Sequence, residues 1–172
     1  LEMGFEQRYD IYDLFLDFPA PLVPRDLRLE AAGRIDRDGA IVTPLDEDAV
    51  PAAFRQFLAA GVEAVAACFM NADRNPAPEA RAGEIARDHS PPLAISLSSE
   101  VVPEIGEYQR CVTTCANAYV QPLMATYLEV LEQGLAARGF DGTLRLMHSA
   151  GGLVSPETAR AFPIRLLESG PA

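Results

Sequence analysis

Two short stretches near the carboxyl end carry residue types suited to holding an anion. The first is His148, Ser149, Ala150, Gly151 and Gly152; the second is Glu168, Ser169, Gly170, Pro171 and Ala172. Each follows a short apolar run, Leu144 with Leu146 and Met147 in one case and Ile164 with Leu166 and Leu167 in the other. Small residues where a strand ends let backbone come close to a ligand, and successive N–H groups in such a turn make an anion-binding concavity. Ser149, Gly151, Gly152, Ser169 and Gly170 are therefore the candidate ligand contacts, with a phosphate or substrate contact read for Ser149 and the Gly151 and Gly152 amides. His148 and Ser149 invite comparison with a base and nucleophile pair. Neighbouring residues leaving a strand point to opposite faces, however, and the surroundings are not a nucleophile elbow, so no catalytic residue is assigned.

A second polar group stands at Glu107, Arg110, Thr113, Thr114 and Asn117, whose spacing of three or four brings them together only on a helix. Two uses are open for it: contact with a substrate at a cleft, or a surface Glu107–Arg110 ion pair beside packed threonines. Cys111 and Cys115 share a helical face, but no His or third Cys accompanies them in the sequence, and Cys68 in an apolar run reads as a small packed hydrophobe. No metal site is expected. Asp36 with Asp38 and Asp46 with Asp48 have turn and capping roles that suffice to explain them.

The totals narrow the partners. The 172 residues hold 49% hydrophobic side chains, enough to bury a core. Arginine supplies all 14 cations against 25 acidic residues, a net charge of -11. That balance argues against a nucleic-acid footprint or an anionic membrane surface, and the lack of Lys excludes a P-loop or Schiff-base lysine. An odd cysteine count without a CxxC pair points to reduced thiols and a cytoplasmic setting. No apolar run approaches the ~20 residues of a membrane span.

The elements that must position these residues follow from pattern. Residues 9–24 alternate acidic and bulky apolar side chains and then turn proline-rich, as an extended arm. Two strand-like runs joined at Asp36–Gly39 predict a β-hairpin. A helix is expected after Asp46, with Val50, Phe54, Phe57 and Leu58 on one face and Gly61 as its stop. The run 62–69 predicts a buried parallel strand, followed by a helix over 78–88 and a strand over 93–97, the order of a βαβ unit. Pro122 predicts a break, one helix ending near Val120 and another starting near Gln121, with Leu123, Tyr127, Val130, Leu131 and Leu135 as a core stripe and Gly139 as the cap. Strands at 144–147 and 164–167 flank a short helix from Ser155. Residues 1–45 are expected to form arm and hairpin, and 46–172 the α/β portion. A Ser-Gly-Pro-Ala tail with no strand to lead into implies a piece of a longer protein.

Taken together, YDLFLDFPAPLVPRDLRLE, TPLDEDAV, SLSSEVVPEIGEYQR, TTCANAYVQPLMATYL, LMHSAGG and LLESGPA resemble, in order, the successive blocks of the hydantoinase A and 5-oxoprolinase family. The resemblance covers essentially 9–172. It implies a ribonuclease-H-like α/β architecture of the actin and Hsp70 ATPase class, ATP with Mg as cofactors, and opening of a cyclic amide such as a hydantoin or 5-oxoproline. A second, B-type subunit is the implied partner. The family's glycine block is usually Gln-Ser-Asn-Gly-Gly, so His148 and Ala150 depart from it. The resemblance further implies an Asp-Gly-Gly-Thr phosphate loop before Leu1, a second after Ala172, and a metal-binding part downstream, so that these residues alone should not turn over ATP. The rival expectation is a non-catalytic assembly or regulatory module of the same architecture, or an acetone-carboxylase-type subunit.

Overall fold

The computed structural model describes Phe15 and residues 20–90 and 93–167; most of the expected arm, and Ser169 and Gly170, lie outside them. The segment leading out of the arm is fixed at Arg28, whose Nε and guanidinium NH2 both donate to the Val23 carbonyl, at 3.0 and 2.7 Å.

The hairpin forms as its turn chemistry demands. Strand β1 (Arg34–Ile35) pairs antiparallel with β2 (Ile41–Thr43), with a register shift between Arg34 and Ile35. Asp36 Oδ1 accepts from the Asp38 and Ala40 amides at 2.9 and 2.8 Å, and Gly39 takes the left-handed φ of 89° that closes the turn.

Helix α1 (Ala49–Ala59) starts where Asp46 Oδ1 accepts the Ala49 amide, and Pro51 sits in its first turn, where a missing N–H costs nothing. It buries Val50, Phe54 and Phe57, the two rings meeting edge to face at 5.8 Å; Leu58 stays largely outside. At its end the Val62 amide reaches the Phe57 carbonyl and the Gly61 amide the Leu58 carbonyl, a Schellman closure around Gly61 at φ 72°.

Strand β3 (Ala64–Ala67), helix α2 (Ala77–His89) and strand β4 (Ala94–Leu97) form the expected unit, with β3 and β4 parallel from Ala64 opposite Ala94 to Ala67 opposite Leu97. Gly83 on α2 permits close approach to β4: a methyl there would sit 2.9 Å from a Leu97 methyl. Val50, Phe54 and Phe57 close the core with Val65, Ala82, Ile85, Ala86 and Leu93.

After the single-turn helix α3 (Ser98–Val101), the chain departs from the sequence-based expectation. Helix α4 (Glu107–Ala137) runs unbroken through Pro122. Proline in a helix interior removes one backbone bond at a cost of about 3 kcal/mol. The bonds on the preceding turns offset it: Asn117 and Gln121 are tied by side chain to Ser96 on β4, and both also reach the Ala161 carbonyl. The expected core stripe is also corrected, since Leu123, Tyr127 and Val130 are 73%, 57% and 63% exposed while Leu128 between them is fully buried. Gly139 ends α4 with a second Schellman closure, the Phe140 amide on the Leu135 carbonyl and the Gly139 amide on that of Ala136.

The tail departs twice more. Strand β5 (Leu146–Met147) pairs antiparallel with β6 (Leu153–Val154), so the glycine turn is the tip of a hairpin and not a crevice at the carboxyl end of a sheet strand. Helix α5 (Pro156–Ala161) begins at Ser155, whose hydroxyl accepts the Thr158 amide as foreseen. The second apolar run then forms a 3-10 turn (Pro163–Leu166), not a strand: Pro163 fixes its first φ and the Asn117 amide oxygen accepts from the Ile164 N–H.

Candidate functional site

At the carboxyl ends of β3 and β4 the chain gathers its buried polar side chains. Arg110, on the second turn of α4, is 1% exposed and uses all five of its N–H groups. Nε donates to Ser98 Oγ at 3.1 Å, one terminal nitrogen donates to Asp73 Oδ1 at 3.2 Å and the Glu104 carbonyl at 3.1 Å, and the other donates to the Phe69 carbonyl at 2.9 Å and to Glu107 Oε2. Beside it Glu79, fully buried on the first turn of α2, accepts the Phe69 amide, the Ser98 hydroxyl and the Ser99 amide at 2.7 to 2.8 Å. Glu107 also accepts the Asn71 amide, and Asn71, at φ 57°, donates its side chain to the Ile35 carbonyl. One cluster thereby locks the first hairpin, the loop after β3, and helices α2, α3 and α4.

The same face of α4 continues inward. Thr114 is fully buried and returns its hydroxyl to the Arg110 carbonyl at 2.6 Å, and Asn117, also fully buried, joins Ser96, Ala161 and Ile164. The sequence set therefore splits: Arg110, Thr114 and Asn117 are spent on the interior, Thr113 is half-buried, and Glu107 alone reaches the surface. The Glu107–Arg110 pair is not the solvent-screened bridge that spacing suggests, because its cation is desolvated. Sequence reading missed Glu79, Asp73 and Ser98; a lone carboxylate in a helix's first turn looks like ordinary dipole complementation.

The glycine turn is built in the opposite way. Gly151 and Gly152 have φ of 85° and 89°, and nothing lies within 4 Å of where either would carry a Cβ. Three of the turn's amides, that of Gly151 included, are used internally: Ala150 N–H donates to His148 Nδ1 at 3.0 Å, Gly151 N–H to the His148 carbonyl at 2.9 Å, and Ser149 N–H to the Arg165 carbonyl at 2.8 Å. The Ser149 hydroxyl sits between the Arg165 and Leu167 carbonyls, to either of which its one proton can be donated, drawing the turn against the chain just before Ser169.

A third group was not foreseen. The sequence offers Cys111 and Cys115 no third thiol, but α4 packs on β3 and brings Cys68 to them; all three line one cavity of about 830 Å³. Cys111 is the central member. Hydrogen bonds from Cys115 and Cys68, with help from the Arg110 charge, hold its thiol well below the ordinary cysteine range, whereas the bond to Cys111 and burial raise both neighbours. Among the described residues no group of three or more His, Cys, Asp or Glu is placed to hold a metal ion.

Comparison with known proteins gives these features their context. The hydantoinase/oxoprolinase N-terminal region matches residues 1–90, and the hydantoinase/oxoprolinase region matches 110–172. The chain belongs to the hydantoinase/oxoprolinase family. Within this family it is 36% identical over its whole length to the caprolactamase alpha subunit of Pseudomonas jessenii, of which it covers 25%. It is 34% identical over 158 residues to the acetophenone carboxylase gamma subunit of Aromatoleum aromaticum, covering 89% of this chain and 21% of that protein. The crystal structure of ATP-dependent caprolactamase from P. jessenii superposes with a TM-score of 0.87 over 99% of this chain and 25% of that one. The chain thus spans about a quarter of the length of relatives it matches end to end, and its mixed α/β architecture is theirs. Among the described residues, no helix is long and apolar enough to cross a membrane.

Proposed function

We propose that these residues form part of one ATPase lobe of an ATP-dependent enzyme that opens a cyclic amide. The observation that carries this reading is the end-to-end match, in sequence and in structure, to an ATP-dependent caprolactamase. In this reading the architecture is the ribonuclease-H-like one of actin and Hsp70, residues 1–45 are an arm and hairpin laid against it, and 46–172 are the lobe itself. The protein works in the cytoplasm with a second, B-type subunit; the matched relatives are named as subunits.

The nucleotide meets this chain at Ser149, Gly151, Gly152, Ser169 and Gly170. Two features support that assignment. The open space around Gly151 and Gly152 lets a phosphate approach bare backbone, and Ser149 ties the turn to Leu167, two residues before Ser169. ATP supplies the free energy that an otherwise unfavourable ring opening requires. Ser149 takes part as the tether of the turn, its hydroxyl proton and its N–H held by carbonyls of the 165–167 segment. Magnesium arrives with the nucleotide, and no residue here is assigned to it. Glu107 and Thr113 are the substrate-facing members of the α4 set, held in place by Arg110, Thr114 and Asn117 behind them.

The test is an assay of the intact protein with its partner subunit for ATP-dependent opening of caprolactam, 5-oxoproline and hydantoin, read as phosphate release together with ring-opened product. Opening of any of these without ATP overturns the reading. The 34% identity to an acetophenone carboxylase subunit favours one alternative, ATP-dependent carboxylation of a ketone. Bicarbonate-dependent consumption of a ketone with no cyclic amide opened would establish it. A protein inert in both assays that still binds the partner subunit would be an assembly module.

A further inference from the structure

We infer that Cys68, Cys111 and Cys115 form a peroxide-reactive thiol site, in which Cys111 is oxidised first and Cys68 closes on it to join the end of β3 covalently to α4. Three independent features meet there. The thiols come from two elements that pack directly on one another, Cys68 from the residue after β3 and the other two from successive turns of α4. All three are half-buried and line the same cavity, which is large enough for a molecule the size of hydrogen peroxide. Charge is placed unevenly around the trio: Arg110, next to Cys111 on α4, acts on Cys111, whereas Glu79, whose carboxylate accepts the amide of Phe69 next to Cys68, acts on Cys68. The cationic side therefore favours a thiolate at the central sulfur, and the carboxylate disfavours one at Cys68.

The chemistry balances with a peroxide as the oxidant. The Cys111 thiolate attacks one peroxide oxygen, an S–O bond forms, the O–O bond breaks, and the departing hydroxide or alkoxide takes a proton from solvent. Cys111 is then a sulfenic acid. The Cys68 sulfur attacks the Cys111 sulfur, the S–O bond breaks, and water leaves with the Cys68 proton, so the two thiols have given two electrons to the peroxide. Cys68 is better placed than Cys115 for this second step. Residues four apart on a helix send their side chains in parallel toward its amino end, whereas Cys68 faces Cys111 from another element. Cys115 supplies a hydrogen bond to the thiolate and stays a thiol. The new bond would join the neighbours of Phe69 and Arg110, the residues whose carbonyl and guanidinium meet in the buried cluster, and would clamp α4 to the strand end.

The test is to treat the intact protein with hydrogen peroxide, alkylate without reducing, and map peptides by mass spectrometry. A Cys68–Cys111 linked peptide is expected. Cys111→Ser should slow thiol oxidation roughly tenfold or more, Cys68→Ser should leave a Cys111 sulfenic acid that dimedone traps, and Cys115→Ala should still form the disulfide. A Cys111–Cys115 link would overturn the inference, as would three thiols alkylated at equal rates in the native protein or a Cys111→Ser variant oxidised as fast as the parent. If a variant does not fold, the peptide map of the unmodified protein decides alone. None of these outcomes depends on whether ATP is used.

Discussion

The cluster around Arg110 and the turn at 148–152 both present polar groups beside the end of a strand, and they spend those groups differently. Around Arg110 the side chains supply the polar atoms, and each is satisfied by another part of the fold. At the turn the Ser149, Ala150 and Gly151 amides are spent within the turn and on Arg165, and what stays open is the space beside Gly151 and Gly152. A side chain that has been desolvated and fully bonded is a fastener, whereas uncovered peptide is a place for something to arrive. Where a family shares polar residues at two strand ends, that distinction separates what holds the molecule together from what it offers to a ligand.

Substitutions sharpen the contrast, and the largest effect is expected at the centre of the cluster. Arg110→Ala should cost about 3–5 kcal/mol in denaturant unfolding, because it leaves Asp73 and the Phe69 and Glu104 carbonyls without their donor. Arg110→Lys should recover little, since an ammonium cannot serve five acceptors in a planar fork. A loss below about 1 kcal/mol would show that the cluster is wet and that the contrast fails. Next, Glu79→Gln replaces an acceptor of three hydrogen bonds with a group that must turn an NH2 toward a donor. It should cost about 1–3 kcal/mol by the same measurement.

The glycine turn should respond the other way, with function affected more than stability. Gly152→Ala places a side chain at φ 89° for about 1 kcal/mol of strain, yet under the proposed nucleotide role it should raise the KM for ATP of the intact protein severalfold with the fold retained. An unchanged KM would remove the turn from the nucleotide site. The smallest effect belongs to the exposed Arg81–Glu47 bridge at 2.8 Å. The Arg81 hydrogen bond lowers the Glu47 pKa, so its small contribution is present above the ordinary carboxylate range and fades as pH falls through the depressed value. Arg81→Ala should move the neutral-pH unfolding midpoint within the scatter of repeat measurements, and any difference should vanish in acid.

What could be read from the chain in advance was whatever local chemistry decides. Asp36 and Gly39 announce their turn, Gly61 and Gly139 their helix ends, and the run around Val65 its parallel strand, because in each case the reason lies within a few residues. What misled was whatever distant contacts decide. Pro122 predicts a break and would make one in isolation, but Asn117 and Gln121 are bound to α5 and β4, and those bonds outvote the missing one. Leu123, Tyr127 and Val130 have the period of a buried face, yet period fixes only which residues share a face, and that face looks outward here. The cluster was half legible: spacing put Arg110, Thr114 and Asn117 on one stripe, while their burial, the part played by Glu79 and the meeting of Cys68 with Cys111 depend on residues from other elements.

The unbroken course of α4 has a mechanical consequence. At 31 residues it is a rod about 45 Å long. Its early turns are fastened to the strands, and beyond Pro122 it is held by buried Leu128 and by Arg160 of α5 on Glu132, while Leu123, Tyr127 and Val130 on the same half face outward. A tilt imposed at the strand end, by a ligand at the strand tips or by a bond to Cys68, would be passed along this single rod to α5 through Arg160 and Glu132, making the helix a lever that couples the two ends of the chain.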